Sequence, residues 1–500
     1  MLQVRIGNSC YEYCSELETH FSKFRKHVIG IDQHFHSQYG RKKILYADWT
    51  ASGRLYRPIE ETIINQFGPF IANTHTDTNI TATIMTEAYN QARKIIKNHV
   101  GAGEDDILIS AGSGMTAAIN KLQRMLQLKV PAKYKNRLQI ADNDKPVIFI
   151  THMEHHSNHL SWLETIGDVV CMEPASDGSM NMNQLKQLLQ LYRNRTMKIG
   201  SFTACSNVTG VQTPYHQLAR IMHEFGGLCL VDFSASAPYV KMNMHPECPL
   251  EKLDGIFFSP HKFLGGPGSS GILVVDSALC QNPVPDHPGG GTVLWTNPWG
   301  GYRYLSDVEM REDGGTPGFL QTIRTALCIQ LKDSMGVDSM LCREEEILKI
   351  LLPHLSEIPG LHILDGQIED RLGIVSFCVE RIHYNLMVRL LNDRYGLQVR
   401  GGCSCAGTYG HYLFNIDTEN SKRLTDRMDQ GDLSCKPGWV RLSIHPIMTN
   451  GEIYEMIKAI RETVQHIDEW RKDYVYESTT NDYRCKSWGR SYNIQDWFDL

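Results

Sequence analysis

Residues 257–275 read FFSPHKFLGGPGSSGILVV, and the reading of this stretch decides the rest of the chain. It places one lysine, Lys262, between an apolar run that reads as a strand and a glycine-rich turn; a second apolar strand, residues 271–275, follows at once. Burial costs a charged lysine roughly several kcal/mol, so a lysine held at such a corner tends to lose its proton and become a nucleophile. A neutral amine forms a Schiff base with a carbonyl compound. A lysine alone in a loop more commonly snorkels its head into water. The meaning of Lys262 therefore depends on what stands around it.

Short apolar runs at residues 107–110, 147–151, 168–173, 198–203, 228–232, 255–259 and 271–275 alternate with helical stretches such as 116–128, 182–192 and 214–225. That alternation predicts βαβ units and a mostly parallel, helix-covered sheet, an α/β architecture. A long helix is expected near Leu320, followed by a smaller α+β unit with strands at 374–379, 398–400 and 440–443 and a last helix over 450–470. The expected organisation is an N-terminal helical arm (1–42), a large domain (43–325), a small C-terminal domain (326–470) and a tail (471–500) of no assigned role.

Composition narrows the class. The chain has 500 residues, 42% hydrophobic and 21% charged, the balance of a globular protein. A net charge of -6 and no long basic run argue against nucleic-acid binding. No run approaches the ~20 apolar residues of a membrane span, and the first residues lack the apolar core of a signal peptide. The 14 cysteines are scattered and do not read as a disulfide framework. Reduced thiols in a cytoplasmic compartment are expected, and the sequons at Asn79, Asn194 and Asn207 are then chance matches.

The predicted strand ends carry the chemistry. ILISAGSGMTAAINKL (107–122) reads strand, turn, helix, with the N–H groups of Gly114, Met115 and Thr116 at a helix N-terminus that suits an anion. THMEHHSNHLSW (151–162) sets His155 after a strand, where an imidazole can stack on a flat ring; metal binding by His155, His156 and His159 is the rival, with no carboxylate or cysteine set to complete it. Asn207 ends one strand and Asp232 the next. A buried acid needs a cationic partner, and a protonated pyridine nitrogen is one. With Ser259, His261 and Lys262 these are the parts a pyridoxal 5'-phosphate site requires.

Taken in order, the motifs resemble the class V aminotransferase and cysteine desulfurase family, fold type I of the pyridoxal-phosphate enzymes. They are YADWTASG (46–53), GSGMTAAIN (112–120), MEHHSN (153–158), SNVTG (206–210), VDFSASA (231–237), FSPHKFLGGPGSSG (258–271), GGGT (289–292), GGTP (314–317), VRGGCSCAG (399–407) and WVRLSIHP (439–446). The resemblance spans most of residues 46–467. It implies a seven-stranded, mostly parallel sheet in the large domain, a Schiff base on Lys262, ring stacking by His155, and Asp232 at the ring nitrogen with Asn207 near the ring hydroxyl. Gly114, Met115, Thr116, Ser259 and His261 would hold the phosphate. Thr292 would reach the phosphate of a neighbouring subunit, which implies a homodimer, Arg441 would clamp a substrate carboxylate, and Arg400 would be a second substrate-binding residue. Two departures stand out. Ala235 replaces the glutamine often found three residues after the aspartate, and Met115 replaces a hydroxyl residue.

The same resemblance aligns Cys405, two residues after Cys403, with the nucleophile of the desulfurases. It implies a cysteine desulfurase or selenocysteine-lyase-like enzyme, in which a small amino acid gives its sulfur to Cys405 as a persulfide, alanine leaves, and an acceptor protein collects the sulfur. Lys262, Cys405 and His155 would be the catalytic side chains. Alternatives on the same cofactor are transamination, epimerisation or C–S β-elimination, with the cysteines incidental. A different class again is a non-catalytic sulfur or metal carrier. His411 reads equally as a proton partner or a surface residue.

Overall fold

The computed structural model describes residues 3–6, 9–12, 15–74, 76–135, 137–487, 489 and 492–499. The chain forms two compact units. The large one holds residues 50–341 and 370–372; the small one holds 1–49, 342–369 and 373–500.

The large unit is built on a seven-stranded sheet. Its strands are β1 (Asp106–Ala111), β2 (Val147–Ile150), β3 (Asp168–Cys171), β4 (Lys198–Thr203), β5 (Leu228–Asp232), β6 (Gly255–Phe258) and β7 (Gly271–Asp276). Their order is β1-β7-β6-β5-β4-β2-β3, and only β7 runs antiparallel to its neighbours. Strands β2, β4, β5 and β6 are buried nearly throughout because helices cover both faces; β2 and β6 read as continuous apolar runs, VIFI and GIFF, while β4, KIGSFT, buries Ser201 as well. On one face Ile107, Ile109, Ile148, Ile150, Leu230 and Phe257 alternate toward helix Met115–Met125 and its Ile119 and Leu122. Leu108, Phe149, Val231 and Ile256 point the other way and are buried too. The carboxyl ends of β2, β4, β5 and β6 lead into the segments that carry His155, Asn207, Asp232 and Lys262, the edge where open α/β sheets bind ligands.

The small unit carries an antiparallel sheet of β8 (Leu361–Ile363), β9 (Ile374–Val379), β10 (Arg400–Gly402) and β11 (Trp439–Ser443), in the order β8-β9-β11-β10. Its long helix Asn450–Gln465 begins at a capping box in which Thr449 and Glu452 satisfy each other's backbone N–H groups.

The N-terminal segment departs from the helical arm read in the sequence. It holds one ten-residue helix, Glu16–Arg25, between a hairpin of Gln3–Ile6 with Ser9–Glu12 and another of His34–Ser37 with Gly40–Lys43. The tail also has structure. β12 (Tyr474–Glu477) and β13 (Asp482–Cys485) form a hairpin that Asp482 ties to Arg389 at 2.7 Å, while Asn481 Nδ2 donates to the Tyr384 hydroxyl at 2.6 Å. Among the described residues no helix is long and apolar enough to cross a membrane.

Candidate active site

In the large unit, Lys262 closes a single 3-10 turn, Pro260–Lys262, directly after β6. Asp232 ends the adjacent strand β5, in register with Phe257, and is 4% exposed. Its Oδ1 accepts the Ser234 N–H at 2.8 Å. Burial raises its pKa, and Ser234 and the nearby positive Lys262 pull it back down. Acid and lysine thus lie within electrostatic reach of each other on neighbouring strand ends.

The helix that starts at Met115 aims its first amides at the same place. The Met115 N–H donates to Ser259 Oγ at 2.9 Å, and the Ser234 and Ser259 hydroxyls lie 3.5 Å apart. A Cβ on Gly114 would stand 3.1 Å from Ser259 Oγ and 3.6 Å from the His261 ring, so only glycine leaves this concavity open. Burial first, then the charge of Lys262, press the His261 pKa down to about 4, which leaves a neutral ring. A cleft of about 690 Å3 runs along Gly112, Ser113, His261, Ser269 and Ser270.

His155 is the N-cap of helix His156–Leu163. Its Nδ1 accepts the Ser157 N–H at 3.1 Å, which places the proton of the neutral ring on Nε2. Ser157 and Thr116 share a hydrogen bond of 2.6 Å, so the N-termini of the two helices are tied together. Asn207 is buried in the loop after β4. Thr292 is fully buried, and its hydroxyl donates to the Gly289 carbonyl at 2.6 Å within its own loop.

Two residues of this region escaped the sequence reading. Glu154 is buried, and its carboxylate accepts from Thr151 Oγ1 at 2.7 Å, the Thr203 N–H at 2.8 Å and Asn158 Nδ2 at 2.7 Å. It ties the loop before His155 to the end of β4. Burial pushes its pKa up to about 8, against the pull of these donors. The one signal was a glutamate at the mouth of an apolar strand. Ser234 joins Asp232 to Ser259, and nothing local marks it.

In the small unit, Arg400 and Arg441 are direct cross-strand partners on β10 and β11. Arg441 is 3% exposed. Both bond Asp48, a third residue that no sequence spacing revealed. Cys405 lies within electrostatic reach of both guanidinium groups. It occupies a four-residue turn in which the Ala406 N–H donates to the Cys403 carbonyl at 2.9 Å, with Ser404 at φ 51° and Cys405 at φ 57°. Left-handed backbone at two successive non-glycine residues costs roughly 1–2 kcal/mol each, and such strain collects at functional sites. The turn leaves Cys405 exposed and Cys403 half-buried near Tyr384. His411 bonds the Gly407 carbonyl and the Ser421 hydroxyl through its two ring nitrogens, at 2.8 and 2.9 Å.

These positions divide cleanly. Lys262, Asp232, His155, Asn207, Gly114, Met115, Thr116, Ser259, His261 and Thr292 fall in the large unit, and Arg400, Arg441 and Cys405 in the small one.

Solved structures share this architecture. The chain superposes on the apo cysteine desulfurase of Thermococcus onnurineus NA1 with a TM-score of 0.67 at 21% identity, covering 84% of this chain and 95% of that one. On the cysteine desulfurase CsdA of Escherichia coli the TM-score is 0.68 at 20% identity, covering 89% and 98%. The fold is therefore fold type I. The family model of class-V aminotransferases matches residues 45–456, and the chain belongs to that family. A probable cysteine desulfurase of Halalkalibacterium halodurans is 27% identical over 372 residues, 73% of this chain and 84% of the relative. Another from Streptomyces coelicolor is 25% identical over 387 residues, 76% and 87%.

Proposed function

We propose that the protein is a pyridoxal-phosphate enzyme that takes sulfur from L-cysteine onto Cys405, a cysteine desulfurase of the kind its relatives are named for. The large unit fits the cofactor. Asp232 is a buried acid suited to a cationic ring nitrogen. The open concavity at Gly114, the helix amides at Met115 and Thr116, Ser259 and the neutral His261 suit a phosphate. His155 would stack on the ring, Asn207 would face its hydroxyl, and Lys262 would hold it covalently. Bound there, the cofactor would supply a carbonyl for amine capture and an electron sink for the substrate's α-carbon.

The chain supplies the rest. Lys262 Nζ takes the substrate's α-proton. Arg441 clamps the carboxylate with its planar donors. Cys405 Sγ attacks the substrate sulfur, the substrate C–S bond breaks, an S–S bond forms on Cys405, and alanine leaves. L-Cysteine and one thiol thus become L-alanine and one persulfide, and an acceptor protein collects the sulfur. The observation that carries this reading is the exposed Cys405 on a strained turn beside two guanidinium groups. A homodimer in a cytoplasmic, thiol-reducing compartment completes the proposal. The apolar hairpin after Thr292 supports it, with Leu294 61%, Trp299 88% and Tyr302 58% exposed.

Replacing Cys405 by alanine tests it. Alanine and sulfide formation from L-cysteine should vanish while the cofactor absorbance persists. Full sulfide production by Cys405→Ala would overturn the nucleophile, and pyruvate in place of alanine from the unaltered enzyme would make it a β-lyase.

A further inference from the structure

Arg400 and Arg441 stand opposite one another in the antiparallel pair β10–β11. Like charges directly opposite destabilise a sheet, and arginine does not shed its proton in proteins. Asp48 is the counter-ion of both. Arg441 Nη2 donates to Oδ1 at 2.9 Å, while Arg400 donates to Oδ2 from Nη2 at 2.9 Å and from Nε at 3.1 Å. The backbone fixes Asp48 in place, because the Ser443 N–H donates to the Ala47 carbonyl at 2.8 Å and Asp48 bridges to Ser443. One carboxylate is thus shared between two guanidiniums, with Cys405 also within electrostatic reach of both.

We propose that Asp48 sets substrate affinity by competing with the substrate carboxylate for Arg441. In the free enzyme its Oδ1 occupies Arg441. The arriving carboxylate replaces that single bond, and Asp48 keeps the firmer hold of Arg400 on Oδ2. Arg400 is then a positioning residue that acts through Asp48, and it does not itself touch the substrate. The inference rests on the reading of Arg441 as the carboxylate clamp, and it departs from the sequence expectation that Arg400 binds substrate.

Steady-state kinetics of alanine formation from L-cysteine test it with Asp48→Asn, Arg400→Leu, the double variant and Arg441→Lys. Asp48→Asn keeps the shape and removes the charge, so KM should fall several-fold with kcat within about twofold. Arg400→Leu frees Asp48 for Arg441 and should raise KM about tenfold, the ratio that ~1.4 kcal/mol makes. The double variant should return to the KM of Asp48→Asn, because no competitor is left to release. A raised KM in Asp48→Asn would overturn the proposal, since Asp48 would then merely orient Arg441. So would a double variant as weak as Arg400→Leu, since Arg400 would then touch the substrate. Asp48→Glu keeps the charge at the same position and should leave KM within about twofold; it also serves if the asparagine variant does not fold, and a several-fold fall in its KM would count against the proposal. An unchanged KM in Arg441→Lys would sink the clamp itself, and the inference with it.

Discussion

Glu344 shows how much one buried carboxyl can do away from any chemistry. It is 3% exposed on helix Val337–Ser356, where its Oε1 would lie 3.1 Å from a Cβ on Gly373. Burial pushes its pKa up from 4.5 to about 8, and the Gly373 N–H pulls it back only in part. A raised acid pKa means that the folded chain holds a proton the unfolded chain has released. The stabilisation is complete below about 4.5 and is lost as pH climbs through about 8, with a slope of up to ~1.4 kcal/mol per pH unit in between. Glu344→Gln should remove that slope. Urea unfolding at pH 5 and pH 8 should show the variant gaining on the parent at the higher pH; an equal difference at both would refute the assignment. Asp232 is raised by burial as well, yet Lys262 and Ser234 oppose the rise. The same physics makes one acid a stability element and, in the proposed function, suits the other to a cationic ligand.

At the scale of elements, helix Phe319–Met335 is anchored by a lysine that sequence patterning places on no polar face. Lys332 is 2% exposed, and its three N–H groups meet three acceptors: the carbonyls of Ala237 at 2.7 Å and Val240 at 2.5 Å, and His99 Nε2 at 3.1 Å. Burial draws its pKa down to about 7. It ties this helix to the segment after Asp232 and to the end of helix Ile80–His99. Lys332→Met would leave those acceptors buried and unmet, at roughly 1–3 kcal/mol for each group that water does not reach. The urea midpoint should fall with an unchanged slope, and an unshifted midpoint would mean that water takes over the bonds. Elements of this kind separate what was legible from what was not. Strands 198–203, 228–232 and 374–379 match the sequence reading to the residue; LCLVD and IVSFCV are near-continuous apolar runs, whereas KIGSFT buries Ser201 between Ile199 and Phe202. Hairpin His34–Ser37 with Gly40–Lys43 has no such signal, because its strands are largely polar, mix buried, half-buried and exposed positions and carry no period. Asp48 was missed for another reason. Its partners lie 352 and 393 residues away, and no local pattern encodes such a distance.

For the whole molecule, the partition of chemistry between the two units has a measurable consequence. The residues assigned to the cofactor all fall in residues 50–341, and those assigned to the carboxylate and the sulfur fall in the unit that contains 373–500. The ordered motifs made the first set readable, since all but Thr292 lie at or just past a strand end and βαβ topology brings strand ends to one edge. The second set was readable only through resemblance, because the Cys405 turn owes its shape to left-handed backbone that no residue type in RGGCSCAG demands at Ser404 or Cys405. A ligand stabilises what it binds by RT ln(1 + [L]/Kd), about 2.7 kcal/mol at a hundredfold excess over Kd. Pyridoxal phosphate added to protein freed of it should slow amide exchange at the Met115 helix start and at the ends of β4, β5 and β6. The amides of β9 and β11 should exchange at nearly their former rate. L-Cysteine given to Cys405→Ala, which binds without completing turnover, should then add protection around Asp48, Arg400 and Arg441. Cofactor protection centred on the small-unit sheet would overturn the assignment of the phosphate and ring contacts to the large unit. Protection by L-cysteine that bypassed Arg441 would remove the carboxylate clamp.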